Sequence, residues 1–182
     1  EKEVATKNVT IIDDGTLPDG FRTARVDDEG VPMKRKIVIE GGVLKNYIYD
    51  SYTAYKEGKE STGNAFRQNY QAPPTPNITN LVIKETSSLR LDELINEMDH
   101  GVLIAGFTMG AHLTDPIKGT FSVTSLNAFY VKSGEIQYPL KSVSASGNFF
   151  EMLKSIIKIG NDHKLTHYGL IPSILVDNIS FI

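Results

Sequence analysis

The sequence predicts an α+β fold: mainly antiparallel β-sheet, barrel- or sandwich-like, with two short packed helices. Three observations carry this expectation. Short β-rich runs outnumber helical patterns, two glycine-containing turns join neighbouring runs into hairpins, and the runs do not alternate with helices as a parallel α/β fold requires. Residues 8–14 (NVTIIDD) alternate apolar and polar side chains and close on two carboxylates, as a short strand does. Residues 15–21 (GTLPDGF) carry turn chemistry. Residues 36–39 and 43–49 are β-rich and flank Glu40-Gly41-Gly42, where glycine tolerates the positive φ of a tight hairpin. Along the second run Val43, Lys45, Tyr47 and Tyr49 share a face. Between residues 51 and 80 tyrosines mix with glycines and with Pro73-Pro74-Thr75-Pro76, which excludes helix or central strand there and predicts a long loop over residues 62–76.

Residues 77–84 (NITNLVIK) read as a strand. Leu91, Leu94, Ile95 and Met98 then follow helical spacing, with Ser88 as expected N-cap and Gly101 as expected stop. That places His100 at a helix end, where its cationic form suits the dipole. Strands are expected over residues 102–107 and around Phe121 and Val123. A second hairpin is expected over residues 127–140, turning at Lys132-Ser133-Gly134. Asn148 is the expected cap of the second helix. Phe149, Leu153, Ile156 and Ile157 would form its stripe and Gly160 its left-handed stop. A polar stretch and two terminal β segments, residues 174–176 and 179–181, complete the chain.

Composition narrows function. The 182 residues are 40% hydrophobic and 23% charged, a globular composition able to bury a core. There is no cysteine, which excludes disulfides, a thiol nucleophile and thiolate zinc sites. The net charge of −3 lacks the basic excess of a nucleic-acid binder, so no direct nucleic-acid partner is expected. No apolar run reaches the ~20 residues of a membrane helix, so no membrane association is expected. The chain opens on Glu1 rather than Met and is expected to be a piece of a longer protein.

The chemistry-bearing residues are few. Asp27-Asp28-Glu29-Gly30 could hold a hard cation, but lacks regularly spaced oxygen ligands, and reads as a turn whose acids cap backbone N–H groups. His163 and His167 have the i, i+4 spacing of a helical metal pair. Gly160 would end the helix before them and no HExxH accompanies them, so they read as solvated loop histidines. His112 and Asp115 form no triad, since no GxSxG elbow occurs. Ser61-Thr62-Gly63-Asn64 lacks the ending of a phosphate loop. Tyr47, Tyr49, Tyr52, Tyr55 and Tyr70 could line a peptide groove, although hairpin packing explains the first two. These residues alone predict a domain without a catalytic constellation.

Taken in order, several segments resemble the C-terminal domain of the TldD/PmbA family, also called TldD/TldE or modulators of DNA gyrase. They are IIDDGTLPDG (11–20), DDEGVP (27–32), VIEGGVLKNYIYDSYTA (38–54), STGNAFR (61–67), PIKGTFS (116–122), SGEIQYPLKSVSASGNFFEML (133–153) and GND (160–162). The resemblance implies one domain over residues 1–182, with the family's N-terminal half absent. It implies a cytoplasmic dimer in which TldD is a zinc-dependent peptidase and PmbA/TldE a non-catalytic partner. Its substrates would be unfolded or modified peptides, bound in extended form.

The family's catalytic subunit carries zinc on an HExxxH motif, which this chain lacks, and on a cysteine after the GND stretch. Here residues 163–169 (HKLTHYG) follow that stretch without cysteine. The resemblance therefore implies the PmbA/TldE side: no catalytic residue and no cofactor in this chain, and a TldD-like catalytic subunit or a second copy as partner. The expected peptide-channel residues are Tyr52, Tyr55, Tyr70, Asn64 and Arg67. One alternative is a divergent active peptidase in which His163 or His167 replaces the cysteine; another is a modulator of DNA gyrase.

Overall fold

The structure is a computed structural model that describes residues 2–111 and 114–182. The reading of His112 lies outside the described residues. The fold is α+β, as the sequence predicts, with several open, mainly antiparallel sheets and no closed barrel, which corrects the barrel-like expectation. The chain forms two compact units. The first takes the described residues within 1–3, 9–84 and 163–172, and the second those within 4–8, 85–162 and 173–182.

The first unit is built on a seven-stranded sheet. Its members are β1 (Lys2–Glu3), β2 (Ile11–Asp14), β3 (Arg35–Glu40), β4 (Val43–Leu44), β7 (Leu81–Ile83), β15 (Lys164–Thr166) and β16 (Gly169–Ile171), in the order β1-β4-β3-β2-β7-β16-β15. A two-stranded hairpin, β5 (Ala65–Phe66) with β6 (Thr75–Pro76), stands beside it in the unit. The central strand β2 buries Ile12 completely. Gly41 and Gly42 turn the β3–β4 hairpin at φ 53° and 79°.

The expected strand over residues 43–49 stops at Leu44. A bulge skips Val38 between the Ile39 and Ile37 pairings, and its carbonyl accepts from Lys45 and Asn46 at 2.9 and 3.4 Å. The chain past Leu44 thus leaves the ladder. Within the expected loop over residues 62–76, the hairpin β5–β6 pairs Ala65 with Pro76 and Phe66 with Thr75.

Helix α1 (Ser51–Lys56) is a third helix that the periodicity does not predict. It buries only Ala54, so its stability is local. The Asp50 carboxylate accepts from the Thr53 amide at 2.7 Å, and the Asp50 amide donates to the Thr53 hydroxyl at 3.2 Å. At the other end Gly58 adopts φ 62°, with its own amide bonded to the Tyr55 carbonyl and the Lys59 amide to the Ala54 carbonyl, a Schellman stop. Asp50→Ala is expected to cost about 1 kcal/mol and to speed hydrogen exchange at Ala54. Unchanged exchange there would show that the cap does not hold the helix.

The second unit contains a four-stranded sheet with order β18-β13-β10-β9: β9 (Thr108–Met109), β10 (Thr120–Ser125), β13 (Val143–Asn148) and β18 (Ser180–Phe181). A three-stranded sheet joins β12 (Glu135–Leu140), β11 (Ala128–Lys132) and β8 (His100–Ile104), and β14 (Ile156–Ile159) pairs with β17 (Ile174–Val176). The β11–β12 turn falls at Ser133-Gly134, within the expected hairpin.

Helix α2 (Leu91–Asn96) buries Leu94 and Ile95. Its cap is Arg90, not Ser88: the Arg90 amide donates to the Glu93 carboxylate at 2.9 Å. It ends before Gly101, so His100 opens a strand rather than closing a helix. Asn148 caps α3 (Phe149–Lys154) as expected, accepting from the amides of Phe150 and Glu151. Ile156 and Ile157, expected on its stripe, belong to β14 instead, and Gly160 follows that strand rather than stopping a helix.

Candidate functional site

A cluster of buried polar side chains gathers on Asp13 at the C-terminal end of β2. Asp13 is fully buried there and accepts four bonds. Its Oδ1 takes the Thr79 amide at 2.6 Å and the Thr79 hydroxyl at 2.8 Å, and its Oδ2 takes Asn64 Nδ2 at 2.7 Å and Lys36 Nζ at 3.1 Å. Lys36 Nζ also donates to the carbonyls of Lys34 and Thr62 at 2.9 and 3.2 Å. Every member is satisfied, so the cluster ties distant segments together and leaves no lone pair poised for proton abstraction. Asn64 extends it outward, accepting from the Thr62 hydroxyl at 2.7 Å, while the Thr62 oxygen takes the Tyr49 amide at 2.7 Å.

Tyr49 is thereby anchored at the mouth of a cleft of about 460 Å³ lined by Tyr47, Ile48, Tyr49, Thr53, Glu57 and Pro76. The Tyr49 hydroxyl donates to Glu57 Oε2 at 2.8 Å. That bond, then partial desolvation and the carboxylate's charge, raise the Tyr49 pKa above a phenol's ordinary value. Because the folded value lies above the unfolded one, the bond's contribution is complete below the unfolded pKa and is lost as pH rises through the folded one. A tyrosinate absorbance titration should show one late-ionising group that disappears in Tyr49→Phe and moves down in Glu57→Gln. An identical titration curve for Glu57→Gln would refute the assignment.

A second, largely apolar cavity of about 270 Å³ is walled by Phe21, Val26, Met33, Phe66 and Ile78, with Asn64 also contributing. Arg22 lies 5.0 Å over the Phe66 ring and donates to the Ile78 carbonyl at 3.1 Å.

The acidic turn at residues 27–30 behaves as its capping reading predicts. Asp27 accepts from the amides of Glu29, Val31 and Ala65, Asp28 from that of Arg67, and Glu29 from that of Ser51. The histidines divide: His167, exposed in a turn, meets the solvated-loop expectation, and His163 departs from it. His163 is half-buried just before β15, with Nε2 donating to the Ile83 carbonyl at 2.9 Å. His167 sits in the β15–β16 turn, its ring 4.5 Å from that of Phe21. Among the described residues no group of three or more His, Asp or Glu side chains is placed to hold a metal ion. Among the described residues the donor set of a zinc site is incomplete, since no further His, Asp or Glu side chains converge with His163 or His167.

The residues expected at a peptide channel separate by burial. Tyr52 and Tyr55 stand exposed on α1, and Lys56 Nζ lies 4.4 Å over the Tyr52 ring. Tyr70 is 87% exposed in the loop between β5 and β6 and accepts from Gln71 at 2.9 Å. Arg67 fastens the same loop through its bond to the Ala72 carbonyl. Asn64 is only 1% exposed and serves the Asp13 network. Glu57 escaped the sequence reading; its signal was the position after a D-x-x-T-capped helix turn, beside three tyrosines.

Among the described residues no helix is long and apolar enough to cross a membrane. Comparison with known proteins gives one consistent result. The family described as PmbA/TldA metallopeptidase C-terminal domain matches residues 1–182. The chain is 39% identical over 174 residues to an uncharacterized protein of Methanocaldococcus jannaschii, covering 96% of this chain and 40% of the relative. It is 35% identical over 164 residues to a protein of Buchnera aphidicola named metalloprotease TldD homolog, covering 90% of this chain and 33% of that protein.

Among solved structures, a Thermotoga maritima protein described as a modulator of a DNA gyrase matches at TM-score 0.87 and 35% identity, over 100% of this chain and 40% of that one. TldE of Thermococcus kodakarensis matches at TM-score 0.85 and 27% identity, over 99% of this chain and 41% of that one. The chain spans well under half the length of these relatives. With a family match that runs from the first residue to the last and a shared fold at each of these identities, the chain belongs to the TldD/PmbA metallopeptidase family.

Proposed function

We propose that this chain is the PmbA/TldE-like, non-catalytic C-terminal domain of a longer subunit in a cytoplasmic zinc metallopeptidase complex. That complex degrades or matures unfolded or modified peptides. The chain pairs with a TldD-like catalytic subunit and helps wall a channel for an extended peptide, with Tyr52, Tyr55, Tyr70 and Arg67 on the channel side and Asn64 behind them. The observation that carries this reading is the stretch after GND, residues 163–169, which offers two histidines and no cysteine, with no further His, Asp or Glu converging on them among the described residues. The similarity to TldE over 99% of the chain supports it. An extended peptide held by main-chain bonds suits a partner of broad sequence tolerance.

The test combines assembly and metal content. Co-expressed with a TldD-like subunit, the chain is expected to co-purify with it. Alone, after dialysis against trace zinc, it is expected to hold no stoichiometric zinc and to hydrolyse no peptide. The relatives named metalloprotease TldD homolog, at 35% and 36% identity, favour a second reading, a divergent active subunit. One zinc per chain that disappears in His163→Ala would establish that second reading and overturn the first. The gyrase-modulator name of the Thermotoga protein gives a third reading, which the net charge of −3 disfavours. Salt-sensitive DNA binding in a gel-shift titration would revive it.

A further inference from the structure

We propose that the cleft between residues 47–49 and helix α1 is a binding site for one basic side chain, the guanidinium or ammonium of an arginine or lysine in a bound peptide. The inference rests on the peptide reading above and adds a selectivity that reading does not contain.

Four features of the cleft point to an alkyl cation. Its volume of about 460 Å³ accommodates a long side chain with room for water. Its walls divide by chemistry, with Ile48 and Pro76 offering apolar surface for a methylene stem and the rings of Tyr47 and Tyr49 offering aromatic surface for a charged head. Those rings lie 6.5 Å apart at an interplanar angle of 59°, so a cation can lie over the face of one of them with the other alongside.

The only formally charged side chain in the lining is Glu57. Among the described residues it forms no ion pair, and its Oε2 is oriented by the Tyr49 hydroxyl at 2.8 Å. A phenol is neutral near pH 7, so the site carries the single negative charge of Glu57. An anionic side chain would meet that carboxylate directly; a neutral one would desolvate it without compensation.

The site is also preorganised, which lowers the cost of binding. The Tyr49 amide is bonded to the Thr62 hydroxyl, and Thr62 is bonded to Asn64 of the buried network. Thr53 and Glu57 fall on one side of α1 and its C-cap, four residues apart. Lys56, the cation nearest in sequence, is turned onto Tyr52 at 4.4 Å and does not line the cleft. That neighbouring pair shows the distance at which an ammonium already meets a tyrosine ring on this helix.

The test uses the 182-residue chain and three blocked hexapeptides, identical except for a central arginine, citrulline or glutamate. Calorimetric titration is expected to rank them arginine, citrulline, glutamate, with arginine over citrulline by about five- to tenfold. Glu57→Gln keeps an acceptor for the Tyr49 hydroxyl and should erase the arginine–citrulline difference. Tyr47→Ala, at a position 65% exposed and so harmless to the fold, should reduce it. Equal affinities for the three peptides would overturn this inference while leaving the peptide reading in place. A preference for arginine that survives Glu57→Gln would overturn it too. If the preference holds and depends on Glu57 but no catalytic subunit co-purifies, the cation site stands and the complex reading falls.

Discussion

Asp13→Ala is expected to destabilise the first unit by about 3–5 kcal/mol, the range for leaving one partner of a buried ion pair alone. The alanine would strand Lys36 Nζ, 7% exposed, with only the Lys34 and Thr62 carbonyls. It would also deprive the Thr79 amide and hydroxyl and Asn64 Nδ2 of their acceptor. Three further variants make the prediction specific: Lys36→Met, its combination with Asp13→Ala, and Asp13→Asn. Lys36→Met removes the charge that alanine would strand, so the Asp13→Ala/Lys36→Met double variant should lose clearly less than the sum of the singles. Asp13→Asn keeps the shape and one acceptor oxygen and should fall between wild type and Asp13→Ala. Urea titrations followed by near-ultraviolet circular dichroism, with six of the eight tyrosines in this unit, measure all five proteins, wild type included. A loss below about 1 kcal/mol for Asp13→Ala, the scale of a surface pair, would show that the cluster is hydrated and contributes little.

Gly169→Ala should be of similar size, about 3–5 kcal/mol, for a different reason. Gly169 sits at φ 132°, a conformation that L side chains rarely adopt, directly opposite Leu81 in the parallel β16–β7 pairing. An added Cβ would fall onto the Leu81 backbone, which cannot yield without breaking the ladder. Gly58→Ala separates the two contributions. Gly58 also has positive φ, 62°, but nothing lies within 4 Å of its would-be Cβ, so it should cost only the conformational part, about 1–2 kcal/mol. Equal losses at the two positions would show that the close approach at Leu81 relaxes freely.

Legibility in the sequence followed the range of the interaction involved. The hairpins at Gly41-Gly42 and Ser133-Gly134 could be read because a tight turn needs positive φ at adjacent residues, a purely local demand. The Asn148 cap could be read for the same reason. Helix α1 could not be read from apolar periodicity because it buries a single alanine; its signal lay in the Asp50-x-x-Thr53 cap and Gly58. In residues 149–159 the apolar side chains satisfy helical and alternating spacing at once, so the boundary between α3 and β14 was invisible. Strands β15 and β16 hid in a polar stretch because they pair with each other over only three residues and join the sheet through β16 and β7, far off in sequence. The Asp13 cluster was out of reach for the same reason: two acidic residues ending a strand look solvated until Lys36, Asn64 and Thr79 are brought to them. The tyrosines were visible as a group, but their division between the cleft and the exposed face of α1 follows from where β4 ends and α1 begins.

The parallel pairing of β7 with β16 imposes an order of events during synthesis. Residues 81–83 emerge from the ribosome well before residues 169–171, and until those arrive one edge of β7 has no partner. The sheet can start early from β2, β3 and β4, whose pairings are close in sequence; it takes up β7 once residues 81–83 reach residues 11–13, and it finishes late, by a second long-range step of the slow kind. During that interval an apolar Leu-Val-Ile edge stands open to other nascent chains. A chain halted before residue 163 would keep this edge permanently, and would be far more prone to aggregate than one carrying the last twenty residues.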